Sequence, residues 1–107
     1  MICPFCEHTL PDDNYIGITR CSDCSRAFSV HYAIGKDLLR TGNAEEALEN
    51  FFKALKMFKN TALLHLDMAR AYKILGNDEG FHFARGRAEE IDFDLYLEYA
   101  RKYDLLD

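Results

Sequence analysis

The sequence contains no tryptophan, only two prolines and six glycines among 107 residues, and no cysteine after position 24. It also lacks any run that approaches the roughly 18 apolar residues of a membrane-spanning helix. The first residues lack the basic and apolar regions of a secretory signal peptide. About half of the residues (49%) are hydrophobic, which predicts a packed core rather than a disordered chain. We therefore expect a soluble cytoplasmic protein.

An excess of basic residues is missing as well. The formal net charge is −5 at pH 7, with 13 Lys and Arg against 18 Asp and Glu. Residues 1–30 carry two arginines and four acidic side chains, namely Arg20, Arg26, Glu7, Asp12, Asp13 and Asp23. Electrostatic binding of nucleic acid requires clustered Lys and Arg that face the phosphates. The charge therefore argues against contact with nucleic acid or the transcription machinery, which stays an open alternative.

The four cysteines form two matched pairs, with the spacing Cys3-x2-Cys6-x14-Cys21-x2-Cys24. The gap between the pairs is one residue shorter than the roughly 15–20 residues that are typical of zinc sites. A two-residue spacer lets one tight turn aim both sulfurs of a pair at a single ion, and tetrahedral zinc accepts four thiolates. The spacing therefore predicts one zinc ion bound by all four cysteines.

Other uses of these cysteines fit the sequence less well than structural zinc. Two disulfides would not persist in the reducing cytoplasm, and a thioredoxin-like redox pair needs a βαβ fold that thirty residues cannot build. Catalytic zinc keeps an open coordination position, which four cysteines close. His8 could replace one cysteine as a ligand, and a redox sensor in which oxidation of the thiolates expels zinc stays an alternative.

The segment around the cysteines predicts short strands. Residues 11–14 (PDDN) are typical of a turn, residues 15–19 (YIGIT) alternate like a strand, and RAFSV at 26–30 predicts a second strand. Two cysteine turns joined by short strands resemble a zinc ribbon, here over residues 1–29. Such turns often carry glycine just after the second cysteine, but Glu7 and Ser25 stand there in this chain.

From Ser29 onward the hydrophobic period changes from two to about three and a half, which predicts helices. Residues 31–48 (HYAIGKDLLRTGNAEEAL) align with residues 65–82 (HLDMARAYKILGNDEGFH) at an offset of 34 residues. The alignment pairs identical residues, namely His31 with His65, Gly42 with Gly76 and Asn43 with Asn77. A fixed offset of this length indicates a helical repeat.

These residues resemble the tetratricopeptide repeat, a helix–turn–helix unit with small and aromatic residues at fixed places. The matching residues are Ile34, Gly35, Leu38, Gly42, Ala47, Phe51 and Ala54 in the first copy, and Met68, Ala69, Tyr72, Gly76 and Ala88 in the second. Phe81 stands where a small residue is usual and Arg85 where an aromatic is usual, so the second copy's helix B is expected to be rotated or shifted. The resemblance implies two repeats over residues 30–92 and a capping helix over residues 93–107.

Local residue types predict how these helices begin and end. Gly42 and Gly76 can adopt the left-handed conformation that ends a helix. Asn43 and Asn77 are then expected to cap the following helices, with Glu46 completing a capping box for the first. Asn60 and Thr61 predict another helix boundary. The last helix has an expected apolar stripe formed by Leu95, Tyr99, Tyr103 and Leu106. Because no Pro/Gly linker separates the ribbon from the first helix, the two are expected to pack together.

No catalytic constellation is recognisable, so we expect a non-enzymatic protein. The fold class is mostly α with a small β zinc ribbon. His31 and His65 recur at the repeat spacing and are expected to pack rather than bind metal. Similarity to tetratricopeptide proteins implies protein–protein binding along the face formed by successive A helices. On this chain that face carries Tyr32, Lys36, Leu39, Leu66, Arg70 and Lys73. The three cations suggest an acidic or carboxylate-bearing peptide partner.

Overall fold

The computed structural model describes residues 2–10, 17–57, 61–103 and 105. The elements in chain order are β1 (Ile18–Arg20), β2 (Ala27–Ser29), α1 (Val30–Arg40), α2 (Ala44–Leu55), α3 (Ala62–Leu75), α4 (Asp78–Ile91) and α5 (Phe93–Lys102). The expected class, mostly helical with a small sheet, is confirmed. None of the helices in the described parts of the chain is long and apolar enough to cross a membrane.

The chain divides into two compact units, Met1–Phe58 and Lys59–Asp107. The first unit contains β1, β2, α1 and α2, and the second contains α3, α4 and α5. The segment predicted as two repeats, residues 30–92, is therefore shared between the two units. Each unit is described by itself below.

Strands β1 and β2 form a two-stranded antiparallel sheet. The register pairs Ile18 with Ser29, Thr19 with Phe28 and Arg20 with Ala27. Gly17, which the sequence places inside the first strand, has a positive φ of 74° and is therefore not extended, and the described strand is Ile18–Arg20. The predicted turn at 11–14 and the start of the predicted strand at 15–16 lie outside the described residues.

The cysteine-bearing segment with its two-stranded sheet (residues 2–10 and 17–29), for which we keep the name ribbon, continues directly into the first helix. Ser29 ends β2 and caps α1, because its hydroxyl accepts a hydrogen bond from the His31 amide at 3.2 Å. The hydrophobic core of this region combines residues from the ribbon with a residue of α1: Cys3, Leu10, Cys21, Phe28 and Ala33. The ribbon therefore packs on α1, as the absence of a linker predicts.

Aromatic rings extend this core from the ribbon to α2. The ring centroid of Phe5 lies 6.3 Å from that of Phe28 and 6.0 Å from that of Tyr32. The Tyr32 ring lies in turn 5.9 Å from Phe51, which is fully buried on α2. One continuous apolar contact thus joins the cysteine turns, α1 and α2.

Helices α1 and α2 form an antiparallel hairpin with a tight turn and a close approach. Gly42 has a φ of 86°, its amide donates to the Leu39 carbonyl at 3.1 Å, and the next amide, that of Asn43, donates to Leu38 at 2.8 Å. This is the hydrogen-bond pattern of a Schellman C-cap. A Cβ atom on Gly35 would lie 2.7 Å from the Phe51 ring, so glycine lets α1 and α2 approach.

Helices α3 and α4 repeat this turn 34 residues further along the chain. Gly76 has a φ of 72°, its amide donates to the Lys73 carbonyl at 3.1 Å, and the Asn77 amide donates to Tyr72 at 2.9 Å. The equivalent donors and acceptors in the first hairpin are the residues that the sequence alignment pairs. The predicted helix–turn–helix recurrence is therefore present in the backbone of both units.

Only some of the predicted N-cap residues form a side-chain cap hydrogen bond. Asn77 accepts a hydrogen bond from the Gly80 amide at 2.9 Å and caps α4, as predicted. The predicted capping box at Asn43 and Glu46 is wrong: the Asn43 side chain makes no cap bond and donates instead to the Thr41 hydroxyl at 3.0 Å. Thr61 precedes α3 without a side-chain cap bond, and Asn60 lies outside the described residues.

The second helix of the second hairpin, α4, forms despite its departures from the repeat pattern. Its buried residues are Phe81, Ala84 and Ala88. Arg85, at the position where an aromatic is usual, donates from Nη1 to the Leu105 carbonyl at 3.1 Å. Its guanidinium also lies 5.1 Å from the Phe81 ring centroid. Arg85 therefore links α4 to the segment that follows α5.

Helix α5 packs against both α3 and α4. It begins at a side-chain cap, because Asp92 accepts a hydrogen bond from the Leu95 amide at 3.1 Å. The expected apolar stripe needs correction. The buried residues are Tyr96, Tyr99, Ala100 and, after the helix, Leu105, whereas Leu95 and Tyr103 are only half-buried. The i, i+3, i+4 set that starts at Tyr96 faces the core, and Leu106 lies outside the described residues.

Candidate functional site

The two cysteine pairs lie on turns with the same backbone geometry. In the first knuckle, residues 3–8, the Cys3 amide donates to the His8 carbonyl at 2.9 Å and the Glu7 amide donates to Cys3 at 3.0 Å. In the second knuckle, residues 21–26, the Cys21 amide donates to Arg26 at 3.1 Å and the Ser25 amide donates back to Cys21 at 2.9 Å. The repeated cysteine spacing is thus a repeated turn.

Each knuckle contains one residue in the left-handed conformation, and in neither knuckle is that residue a glycine. Glu7 has a φ of 65° and Ser25 a φ of 64°, at the positions where related turns often carry glycine. Positive φ is uncommon for residues with a Cβ. An arginine contacts each position: Arg20 donates to the Ser25 carbonyl, and an Arg40 Nη2 lies 3.7 Å from a Glu7 carboxylate oxygen. The turn forms in both knuckles although glycine is missing.

The four sulfur atoms converge on one point. All four Sγ atoms lie within 4.8 Å of one another, with 3.7 Å between those of Cys3 and Cys24 and 3.6 Å between those of Cys6 and Cys21. A tetrahedron of sulfurs about 2.3 Å from a zinc ion has edges of about 3.8 Å. A disulfide would need about 2.05 Å. The spacing therefore suits four thiolates around a metal ion.

Backbone amides favour the thiolate form at individual cysteines. The Cys21 sulfur is hydrogen-bonded by the amides of Cys24 and, at 3.3 Å, Asp23, and these bonds lower the pKa of Cys21 to about 7. The amide of His8 has the same effect on Cys6, but desolvation and the hydrogen bonds with the three other cysteines outweigh it. Together they raise the pKa of Cys6 to about 12.

The same balance holds at Cys24, where the Arg26 amide favours the thiolate. Burial together with the neighbouring thiols nevertheless raises the pKa of Cys24. Four thiolates this close repel one another, and a divalent cation at their centre offsets that repulsion. The arrangement is therefore one in which full deprotonation goes with metal binding.

The cluster is closed on one side and open on the other. Cys3 and Cys21 are buried, Cys24 is half-buried and Cys6 is exposed. The Arg26 guanidinium stacks 3.9 Å from the Phe5 ring centroid and covers part of the first knuckle. Within the described residues, this is the group of His, Cys, Asp and Glu side chains close enough to hold a metal ion.

The histidines that the sequence offered as alternative ligands are not part of that group. His8 contributes its carbonyl to the first knuckle rather than a ring nitrogen to the cluster. His31 Nδ1 lies 3.2 Å from the Asn50 side-chain oxygen on α2, and His65 is buried on α3. His31 thus contacts α2 and His65 is buried, whereas the expectation that neither binds metal stays a prediction.

The side chains predicted to bind a partner lie at different depths. Tyr32, Leu39 and Leu66 are buried, and Lys36 is only 9% exposed, with its Nζ 5.6 Å from the Tyr32 ring centroid. Of the six predicted residues, Lys73 is the exposed one. Partner binding by these residues stays a prediction.

Arg70 belongs to a buried polar network that was not predicted from the sequence. Its Nη1 lies 3.4 Å from an oxygen of Asp67, which is fully buried, and donates to the Tyr99 hydroxyl at 3.1 Å. The Tyr99 hydroxyl also donates to Asp67. Burial and the nearby Asp67 carboxylate hold the pKa of Tyr99 well above its usual value. A carboxylate inside the apolar run LLHLDMARAY was the signal that could have revealed this network.

The network also fixes the orientation of the Arg70 guanidinium, which stacks 3.9 Å from the ring centroid of Tyr103. Burial by itself would lower the pKa of Arg70, but Tyr99 and Asp67 reverse this effect and raise it. Beside the network lies a cavity of about 370 Å³, lined by Arg70, Lys73, Ile74, Tyr103 and Leu105. Two of the predicted partner-binding residues, Arg70 and Lys73, thus line one cavity in the second unit.

Comparison with known proteins provides no relative from which a function could be transferred. No protein family, curated protein or solved structure that was compared with this chain matches it.

Proposed function

We propose that the protein is a non-enzymatic, zinc-binding adaptor of the cytoplasm that binds another protein through its helices. The observation that carries this proposal is the set of four converging sulfurs in a ribbon that shares its core with α1. A metal ion bound by these sulfurs stabilises the fold of the ribbon. The surface of the helices then remains as the part available for function.

Zinc is the metal that best suits these ligands. It prefers tetrahedral coordination and thiolate ligands, and four cysteines fill its coordination shell without an open position for water. Such a site is structural rather than catalytic. In small zinc modules the bound ion contributes on the order of 10 kcal/mol of folding free energy at neutral pH.

The adaptor role rests on the helical part. The two hairpins carry the same turn at a 34-residue offset, in agreement with the resemblance to tetratricopeptide repeats. Several large apolar side chains on the helices are exposed, among them Phe83 at 71% and Ile74 at 55%. Exposed apolar side chains such as these are available for contact with another protein.

Metal analysis tests the zinc part of the proposal. Protein purified under reducing conditions without chelator is expected to contain one zinc ion per chain, and Cys6→Ser is expected to lose it, whereas Ser22→Ala in the second knuckle keeps it. Absence of metal together with Cys3–Cys6 or Cys21–Cys24 disulfides would contradict the structural-zinc assignment.

Identification of a partner tests the adaptor part. The intact zinc-loaded protein is used as bait, and a specific protein partner is expected to be retained, then to bind the purified bait directly with a 1:1 or other fixed stoichiometry. If the purified zinc-loaded protein binds no protein directly but turns over a substrate, the proposed function is wrong.

A further inference from the structure

The four cysteines of the cluster differ in how much of each side chain faces solvent. Cys3 is 0% exposed and Cys21 is 1% exposed, and both belong to the hydrophobic core of the ribbon. Cys24 is half-buried and packs against the same core. Cys6 is the exposed member of the cluster. A reagent dissolved in water therefore reaches Cys6 before the other three.

We infer that Cys6 is an oxidation site, at which a hydroperoxide modifies the cluster and joins Cys6 to Cys21 in a disulfide between the two knuckles. The inference rests on the zinc-binding part of the proposed function and adds a reaction site to it. Cysteines react with peroxides according to their thiolate character and their exposure. Because all metal-binding cysteines are deprotonated, exposure decides which of the four thiolates reacts first.

Cys21 is placed to complete the reaction at Cys6. The two Sγ atoms lie 3.6 Å apart and must approach by about 1.5 Å to reach the bond length of a disulfide. Cys21 is buried, and its sulfur accepts a hydrogen bond from the Asp23 amide at 3.3 Å, which holds it in position. Cys6 is exposed and can turn toward Cys21 without disturbing the core.

The other buried cysteine, Cys3, contacts a different sulfur. Its Sγ lies 3.7 Å from that of Cys24, so this contact also joins the first knuckle to the second. Distance along the chain favours the opposite pairing, since Cys3 with Cys6 and Cys21 with Cys24 would close the shortest loops. The pairing that the fold predicts therefore differs from the pairing that the sequence alone favours.

The reaction has two balanced steps. The Cys6 thiolate attacks an oxygen of the hydroperoxide, the O–O bond breaks, and Cys6 becomes a sulfenic acid while hydroxide or alkoxide leaves. The Cys21 thiolate then attacks the Cys6 sulfur, the S–O bond breaks, and a second hydroxide leaves. Both leaving groups take up protons from water. The two sulfurs have then lost two electrons to the peroxide, and half of the tetrahedral ligand set is gone, so bound metal is expected to dissociate.

Trypsin separates the two knuckles, because cleavage after arginine places the first in residues 1–20 and the second in residues 21–26. Zinc-loaded protein is treated with less than one equivalent of hydrogen peroxide, remaining thiols are blocked with iodoacetamide, and the unreduced digest is analysed by mass spectrometry. We expect one disulfide that joins the two peptides, with the blocking group on Cys3 and Cys24. An indicator dye is expected to register one zinc ion released for each disulfide.

The same chain without its fold is the matched control. In urea with a chelator all four cysteines are accessible and loop closure governs their pairing, so disulfides within residues 1–20 or within residues 21–26 are expected instead. A second measurement locates the first reaction without peroxide. Less than one equivalent of N-ethylmaleimide is added to the zinc-loaded protein, and most of the label is expected on Cys6.

Two outcomes would overturn the inference while zinc binding stands: a disulfide within one knuckle of the zinc-loaded protein, or first labelling at Cys3, Cys21 or Cys24. Formation of the predicted disulfide without loss of zinc would also overturn it, because the metal would then not depend on the thiolates of Cys6 and Cys21. Protein that contains no zinc before peroxide is added contradicts the proposed function, and the inference with it.

Discussion

Single residues with unusual backbone conformations shape the cysteine cluster. Glu7 and Ser25 adopt positive φ in the two knuckles, and the carbonyl of Ser25 is held by Arg20. A left-handed conformation costs a residue with a Cβ roughly 1–2 kcal/mol. The hydrogen bonds of each knuckle and the convergence of the four sulfurs therefore stabilise this backbone, although the positive φ is unfavourable for Glu7 and Ser25 themselves.

We expect Ser25→Gly to stabilise the zinc-loaded protein, because glycine adopts positive φ without strain. The greater chain entropy of glycine in the unfolded state offsets part of the gain, so the net effect is about 0.5–1 kcal/mol. Ser22→Gly, in the same knuckle at a position without positive φ, is expected to destabilise by about 0.5–1 kcal/mol. Urea denaturation of both variants measures the difference, and equal effects of the two substitutions would contradict the account.

At the scale of elements, the sequence predicts well what depends on neighbouring residues. The Gly42 and Gly76 turns were predictable because a left-handed glycine that ends a helix is a local property. The cysteine cluster was predictable because the two-residue spacing itself forms each turn. Neighbouring residues also determine the helical hairpins, the cap at Asn77 and the direct continuation of the ribbon into α1, so these features were predictable as well.

Features that depend on tertiary neighbours were not predictable in the same way. The side of α5 that faces the core is set partly by Asp67 of α3, which lies 32 residues away from its partner Tyr99. The burial of Tyr32 and Leu39, which were predicted on a binding face, follows from rings and helices that only the fold brings together. Asn43 turns its amide to Thr41, a choice between two local partners that residue type alone does not decide.

The packing of α1 on α2 gives a prediction at this scale. Gly35→Ala places a Cβ 2.7 Å from the Phe51 ring and 3.1 Å from the Ala47 carbonyl, so the helices must separate. Overpacking of this kind costs about 1–3 kcal/mol, which outweighs the better helix propensity of alanine.

Gly86→Ala on α4 is the matched control for this substitution. A Cβ there has no neighbour within 4 Å, so the variant is expected to gain about 0.5–1 kcal/mol from helix propensity alone. Thermal unfolding monitored at 222 nm compares the two variants with the original chain. A Gly35→Ala protein as stable as Gly86→Ala would show that α1 and α2 are not in close contact at Gly35.

At the scale of the whole molecule, the cysteine cluster is linked to the first helix, α1, through shared packing. Cys3 and Cys21 belong to the same core as Phe28 and Ala33, and Phe5 contacts Tyr32. The first unit therefore depends on the geometry of the cysteine cluster. The second unit has its own core and its own polar network, in which Asp67 and Arg70 bind Tyr99. The free energy supplied by a metal is thus expected to act on one unit.

Removal of the metal is therefore expected to unfold the first unit and spare the second. Under reducing conditions a zinc chelator is expected to abolish amide protection in residues 17–57, including α1 and α2, because four uncompensated thiolates repel one another and the ribbon core opens. Protection in α3, α4 and α5 is expected to persist, since these helices contain no cysteine and belong to the second compact unit. Hydrogen exchange read by mass spectrometry measures both units in one sample, and readdition of zinc is expected to restore protection in the first unit.

The Cys6→Ser variant is expected to reproduce the chelated pattern without chelator. Retention of protection in α1 and α2 after complete zinc loss would show that the metal does not support the fold of the helices.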